Sequence, residues 1–189
     1  FFNKDGSPEA GPEYGTASTT DFTRINGKNY LFNPKGNPVS GLHKVEIGAT
    51  EEFTAYYFDD NSKTVVKGKE TIEEGDGTKS TFYFNEGSYA GRGVTGVKDN
   101  YLYYMGKRQE ADADMRYSLI SIPNGDGTFK TYVVNSSGRI TKGKTVKDGD
   151  GVKYTTNSNG IVTHIDSEAI NSHSSYGDPI EPVFEEWDY

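Results

Sequence analysis

The sequence predicts an all-β fold built as a β-hairpin repeat solenoid. Three observations predict it: a phrase of aromatics, turn and glycine that returns along the chain, a second turn inside each interval, and an apolar content too thin for a deep core. The phrase is clearest at 55–69, AYYFDDNSKTVVKGK, where an aromatic cluster is followed by an Asn/Asp turn and a β-branched segment ending in Gly. Echoes stand at 30–42 (YLFNPKGNPVSGL), 82–97 (FYFNEGSYAGRGVTGV), 102–109 (LYYMGKRQ), 132–144 (YVVNSSGRITKGK) and 154–165 (YTTNSNGIVTHI). A truncated copy, FFNKDGSPEAG, opens the chain. Measured from the lead aromatic, or from Leu102 in its place, the echoes lie 26, 26, 20, 30 and 22 residues apart, a repeat with variable inserts. Leu, Ile, Val and Phe together make up just under one fifth of the 189 residues, a share usually found in disordered chains. The 14 Tyr offset this, because a Tyr buries a large ring while keeping its hydroxyl wet, which suits a narrow aromatic spine.

In chain order, residues 1–6 read as the second half of a hairpin. Residues 7–21, rich in Pro, Gly, Ser and Thr, read as an irregular loop. The segment 22–32, FTRINGKNYLF, is a hairpin signal, since Asn26-Gly27 supplies the two positive φ angles of a type I′ turn between strand-forming flanks. The same slot recurs at Gly75-Asp76-Gly77, Asp99-Asn100, 124–127 (NGDG) and 148–151 (DGDG), so each unit offers two turns and two short strands. The stretch 109–116 departs from the pattern. It lacks β-branched residues and has helix-tolerant composition, which predicts one short helix there. The domain organisation read from this is a repeat body over 1–165 and an acidic C-terminal tail over 166–189, either disordered or folded back as a cap. Two prolines bar the tail from a central ladder and leave it free to lie along an edge. An open stack needs such a cover over its last apolar face.

Charge and chemistry exclude several classes. The net charge of −8 is concentrated in the tail, which holds Asp166, Glu168, Asp178, Glu181, Glu185, Glu186 and Asp188 and contains no Lys or Arg. No basic nucleic-acid footprint and no apolar run of membrane-spanning length are present, so neither nucleic acid nor a transmembrane segment is expected. The absence of Cys argues against a disulfide-stapled scaffold. The chain opens inside a repeat copy, without an initiator Met or signal peptide, and reads as a processed or excised fragment. His43, His164 and His173 are scattered and share no zinc motif, and the NGDG and DGDG loops carry too few acids for Ca²⁺. No metal, no cofactor and no catalytic residue is assigned, because a glycosidase pair needs a cleft that a polar tail does not supply.

The repeated Y-Y-F-(D/N)-x-x-G phrase, closed by Thr/Lys-Gly and a second D-G turn, resembles the cell-wall-binding or choline-binding repeats of Gram-positive surface proteins. Related units are the glucan-binding repeats of glucansucrases and the receptor-binding repeats of large toxins. The resemblance covers roughly residues 1–165 and implies a β-hairpin solenoid with ligand sites between consecutive hairpins. In choline-binding members, Trp flanks the repeat Gly and the aromatic run, and several aromatic faces hold the cation, each good face contributing about 0.5–2 kcal/mol. Here the post-Gly positions are Leu42, Lys69, Val97 and Lys144, and those before the aromatic run are Asn29, Ala55, Thr81, Tyr101 and Thr131. The usual cage walls are replaced, and Trp187, the chain's one Trp, lies outside the repeats. The resemblance thus implies the architecture without generic choline binding.

What remains is an aromatic ladder, Tyr30/Phe32, Tyr56/Phe58, Phe82/Phe84, Tyr101/Tyr103 and Tyr132, which reads either as the spine or as a stacking surface for sugar rings, with turn Asn and Asp as hydrogen-bond partners. Strand alternation turns the middle residue of each triplet away from the spine. Candidate ligand-binding residues are therefore Tyr57, Tyr83, Tyr101 and Tyr103. The function implied is a non-catalytic, secreted or cell-surface repeat module that binds cell-wall or host polysaccharide, with the tail open to a protein partner. The other reading is a structural spacer or interaction module with degenerate ligand sites.

Overall fold

The computed structural model describes residues 1–13 and 15–187, so the tail's last two residues, Asp188 and Tyr189, fall outside it. The chain is all-β, and a 3-10 turn at Thr19–Asp21 is the one helical element among the described residues. Two compact units are present. One comprises residues 1–94, 105–107 and the last residues from Pro182, and the other 95–104 and 108–181.

The first unit holds three antiparallel hairpins: β1 (Thr23–Ile25) with β2 (Lys28–Tyr30), β3 (Gly41–Glu46) with β4 (Phe53–Phe58), and β5 (Gly68–Glu73) with β6 (Lys79–Phe84). In the second, β7 (Gly96–Lys98) pairs with β8 (Tyr101–Tyr104). After the two-residue β9 (Lys107–Arg108) comes the long hairpin of β10 (Tyr117–Pro123) and β11 (Phe129–Asn135). A four-stranded meander follows, made of β12 (Thr145–Lys147), β13 (Lys153–Thr156), β14 (Val162–Ile165) and β15 (Glu168–Ala169). The two-residue turns have the predicted geometry: Asn26-Gly27 and Asp99-Asn100 each hold two positive φ angles, 49° and 80°, and 51° and 68°.

One polar side chain organises the turn that follows four of the aromatic runs. The Asn135 side-chain oxygen accepts from the amides of Ser137 and Arg139, both at 3.0 Å, and the Asn135 amide donates to the Arg139 carbonyl at 3.0 Å. Asn33 and Asn157 make the same pairs of bonds to residues two and four positions on. Asp59 serves its loop through Asn61 and Ser62. Each turn returns the chain to bridge its own aromatic strand, as at Phe2↔Pro8, Phe32↔Pro38, Phe58↔Val65, Phe84↔Gly93 and Val134↔Ile140. The echo at 102–109 differs. It has no such Asx loop, and Met105 and Gly106 turn the chain with φ of 49° and 87°.

The interior is a series of small clusters. In the first unit, Ala17, Leu31, Val45, Tyr56 and Phe58 form one, and Leu42, Ala55, Ile72, Phe82 and Phe84 a second. In the other unit, Leu102, Ile120, Ile122, Tyr132, Val134 and Ile140 form one, and Val133, Tyr154 and Val162 another. Each cluster joins side chains of different hairpins, which is how units too small for a private core bury their apolar faces. Phe22 shows the contact directly, meeting Tyr56 of β4 edge-on at 5.0 Å between ring centroids.

The predicted helix at 109–116 is absent. The amides of Met115 and Arg116 both reach the Asp112 carbonyl, and Arg116 then takes a φ of 63°, which ends the helical geometry after one turn. Composition permitted a helix, but the segment is too short to nucleate one without an apolar face to bury. The loop at 7–21 is more ordered than its composition suggests: Ser18 and Asp21 form a capping box, and the Ser18 hydroxyl donates to the Gly48 carbonyl at 2.7 Å.

The described part of the tail is a strap. In the second unit the Phe129 amide donates to the Ser172 carbonyl and the Ser121 amide to that of Gly177, both at 2.8 Å, while Ile180 exchanges two bonds with the buried Gln109 side chain. In the first unit the Gly75 amide donates to the Val183 carbonyl and the Glu185 amide to that of Leu42, each at 2.8 Å. Phe184 joins the Leu42 cluster, and Trp187 packs on the Tyr56 cluster, edge-on to His43 at 5.8 Å. The close passes select glycine: a Cβ on Gly177 would overlap the Leu119 carbonyl, and one on Gly75 that of Phe184. Burial holds His43 below its usual pKa, and its Nε2–H donates to the Ser40 carbonyl at 2.8 Å.

Candidate functional site

The four tyrosines singled out by sequence occupy different surroundings. Tyr57 is half-buried on β4, packed beside the Leu42 cluster. Burial, followed by the nearby carboxylates of Asp60 and Asp59, raises its phenol above the ordinary value. Tyr83 on β6 is buried, and its hydroxyl donates to the Glu86 carboxylate at 2.8 Å. Tyr103 on β8 is 2% exposed, whereas its neighbour Tyr101 is half-buried. The alternation expected to turn the middle aromatic outward therefore does not expose Tyr83 or Tyr103. Both faces of these thin hairpins are covered, so period 2 distinguishes one covered face from another.

The structure brings Tyr101 and Tyr103 together around Arg108. The guanidinium lies 4.1 Å from the Tyr101 ring centroid and 5.5 Å from that of Tyr103, and it donates to the Tyr103 hydroxyl at 3.0 Å. The aromatic pair already holds a cation of the chain itself, which satisfies the quadrupoles that an external cation would use.

Beside this group is a cleft of about 370 Å³, lined by Asn100, Tyr117, Asn135, Arg139, Ile140, Thr141, Lys142 and Lys144. Its geometry follows from the turns. Asn100, second residue of the β7–β8 turn, accepts from the Ile140 amide at 2.9 Å, and the Gly138 carbonyl accepts from the Leu102 amide at 3.1 Å. These bonds and the Tyr101–Arg139 bridge clamp one hairpin turn onto the Asx loop of the next strand pair. With its oxygen spent on loop amides, Asn135 keeps its NH₂ as a donor. Arg139 approaches Tyr101 at 5.9 Å and is otherwise exposed, as are Lys142 and Lys144.

Sequence reasoning missed the basic lining residues because it weighed aromatics, with turn Asn and Asp as their hydrogen-bonding partners. The signal was present in part, since Arg139 closes a repeat turn and Lys144 stands at the post-Gly position. The second-turn acids hold backbone. Asp126 accepts from the Thr128 amide and hydroxyl, and Asp148 from the amides of Asp150 and Val152 and from the Tyr154 hydroxyl.

No family model matches the chain, and no curated protein matches it. Solved structures that resemble it include CbpF in complex with ipratropium, at 22% identity over 87% of this chain and 42% of that one, with a TM-score of 0.48. Choline binding protein F from Streptococcus pneumoniae, in the presence of a tetrasaccharide-pentapeptide peptidoglycan analogue, matches at 23% identity over 87% and 43%, with a TM-score of 0.47. An alternansucrase in complex with isomaltononaose matches at 18% over 93% and 15%, with a TM-score of 0.28. The chain thus spans about two fifths of the length of the first two.

Proposed function

We propose that the protein is a non-catalytic module of the bacterial cell surface that holds saccharide chains of a cell wall or host. The observation that supports this reading is the cleft between the Asp99-Asn100 turn and the loop from Asn135, which lies between consecutive hairpins, where the resemblance to cell-wall-binding repeats implies ligand sites. Its volume falls at the lower end of the range for small-ligand pockets. Tyr117 offers ring surface, while Asn100, Asn135 and Thr141 offer the hydrogen-bonding groups a sugar uses. Tyr57, half-buried on β4, is a second contact of this reading.

A second reading, a structural spacer with degenerate ligand sites, draws on a specific observation: Tyr83 and Tyr103 are buried and Tyr101 is covered by Arg108. Retention on insoluble cell walls and on immobilised glycans separates the two. The saccharide reading expects retention of the intact chain and a loss of at least about tenfold in Tyr117→Ala, of the order expected when a stacking aromatic is removed. Absence of retention on every support favours the spacer.

A further inference from the structure

Three features stand outside the reading above: the apolar recess at the end of the β14–β15 turn, the buried Glu74 carboxylate, and the sign of charge around the cleft. The recess, about 390 Å³, is lined by Ile165–Ile170 and Tyr176 of the chain's own tail, and Asp166 and Glu168 are its charged groups. Glu74 is fully occupied by Lys107 at 2.8 Å, the Ser80 hydroxyl at 2.5 Å and the Val183 amide at 2.6 Å. The charge around the cleft points outward to a ligand.

In a chain of net charge −8, this cleft gathers Arg139, Lys142 and Lys144, and none of its lining residues is acidic. Among the described residues none of the three cations takes part in an ion pair, and all three are exposed. Like charges collected around one concavity repel each other and focus a positive potential into it, which an incoming anion relieves. The Asn135 NH₂ adds a neutral donor to the three cationic ones, so the wall is rich in donors and calls for a ligand rich in acceptors. The Tyr117 ring and the Ile140 side chain supply apolar surface that an inorganic anion would leave unused.

We propose that the cleft selects saccharides bearing an anionic group, a carboxylate or a phosphate ester, with Arg139, Lys142 and Lys144 holding the charge. The proposal rests on the saccharide reading and names the ligand class of the same site. The intact chain is titrated by calorimetry with trigalacturonic acid, glucose 6-phosphate and uncharged maltotriose, at low and at physiological ionic strength. At least one charged probe should bind about tenfold or more tightly than maltotriose and weaken as salt rises, and whichever it is distinguishes carboxylate from phosphate. The exposed double variant Lys142→Gln/Lys144→Gln should keep its fold by circular dichroism and lose about tenfold for that probe, a larger loss than for maltotriose. Equal binding of charged and uncharged probes, unaffected by the double variant, overturns the proposal and leaves the saccharide reading standing. Failure of both charged probes to bind also overturns it. If no support retains the chain in the glycan assay either, the saccharide reading falls with it.

Discussion

The side chain that recurs with most consequence in this molecule is the Asn or Asp at the head of each turn. Asn33, Asn135 and Asn157 each close a loop with one side-chain oxygen, and Asp59, Asp76, Asp126 and Asp148 use a carboxylate for the same task. These turns were legible in the sequence because they are local. Asx residues, Gly and spacing dictate them without reference to neighbours. Which ring faces solvent was not legible, because it depends on what the next hairpin lays against it. Tyr103, read as an outward ring, is 2% exposed, with the Arg108 guanidinium 5.5 Å from its centroid and donating to its hydroxyl.

Titration follows from the same bonds. The carboxyls of Asp59, Asp76 and Asp126 lie below their ordinary value of 3.8 chiefly because Ser62, Thr78 and Thr128 donate to them. For Asp148 burial is the largest influence and pushes upward, but the Tyr154 hydroxyl and the amides of Val152, Asp150 and Gly151 together outweigh it. A carboxyl whose folded value lies below its unfolded one contributes stability that is complete above the unfolded value and is lost as pH falls through the folded one. Urea midpoints should therefore stay level from neutrality to about pH 5 and fall below about pH 4. Burial and then Asp148 raise the Tyr154 phenol, so its contribution is complete below the unfolded value of 10.0 and is lost as pH climbs beyond it. Tyr154→Phe strips the buried Asp148 of a donor and should cost about 1.5–3 kcal/mol at neutral pH while making the acid fall shallower. A variant as stable as the parent, with the same acid slope, would refute this account of the pair.

At the scale of the element, the hairpin is the unit and the tail its strap. Hairpins were legible because two-residue turns with paired positive φ demand antiparallel partners. The helix at 109–116 was misread because composition gives permission and tertiary contacts decide. The strap's path was beyond the sequence, since its anchors are amides and carbonyls such as those of Ser121 and Leu42 that no residue type advertises. At Gly177 the strap passes against the Leu119 carbonyl, and at Gly75 the Phe184 carbonyl of the strap does the same, leaving no room for a side chain. Gly177→Val should detach the adjoining strap, raising proteolytic cleavage and amide exchange between residues 172 and 181 well before global unfolding. Protection equal to that of the parent would show that the strap tolerates the displacement.

At the scale of the whole molecule, composition announced the absence of a deep core, and the structure distributes burial over four clusters confined to two units. A chain with less than one fifth Leu, Ile, Val and Phe folds because rings from different hairpins meet: Phe22 on Tyr56 at 5.0 Å and on Phe58 at 5.7 Å, with Leu31 and Val45 completing the group. The ladder of aromatics was legible from its interval, and its role as spine holds for Phe32, Tyr56, Phe58, Phe82, Phe84 and Tyr132, all buried. At 101–104 both Leu102 and Tyr103 are buried, at 0% and 2% exposed, while Tyr101 is half-buried. The residues that line the cleft were not legible, because it is made where two turns far apart in sequence are clamped together.

The central claim, that contacts of rings between hairpins hold the chain folded, is tested most directly by a double-mutant cycle on Phe22 and Tyr56, 34 positions apart. Equilibrium unfolding of Phe22→Ala, Tyr56→Ala and the double variant should give a coupling of about 0.5–1.5 kcal/mol, the range for an edge-to-face aromatic pair. Additivity within about 0.3 kcal/mol would contradict the claim.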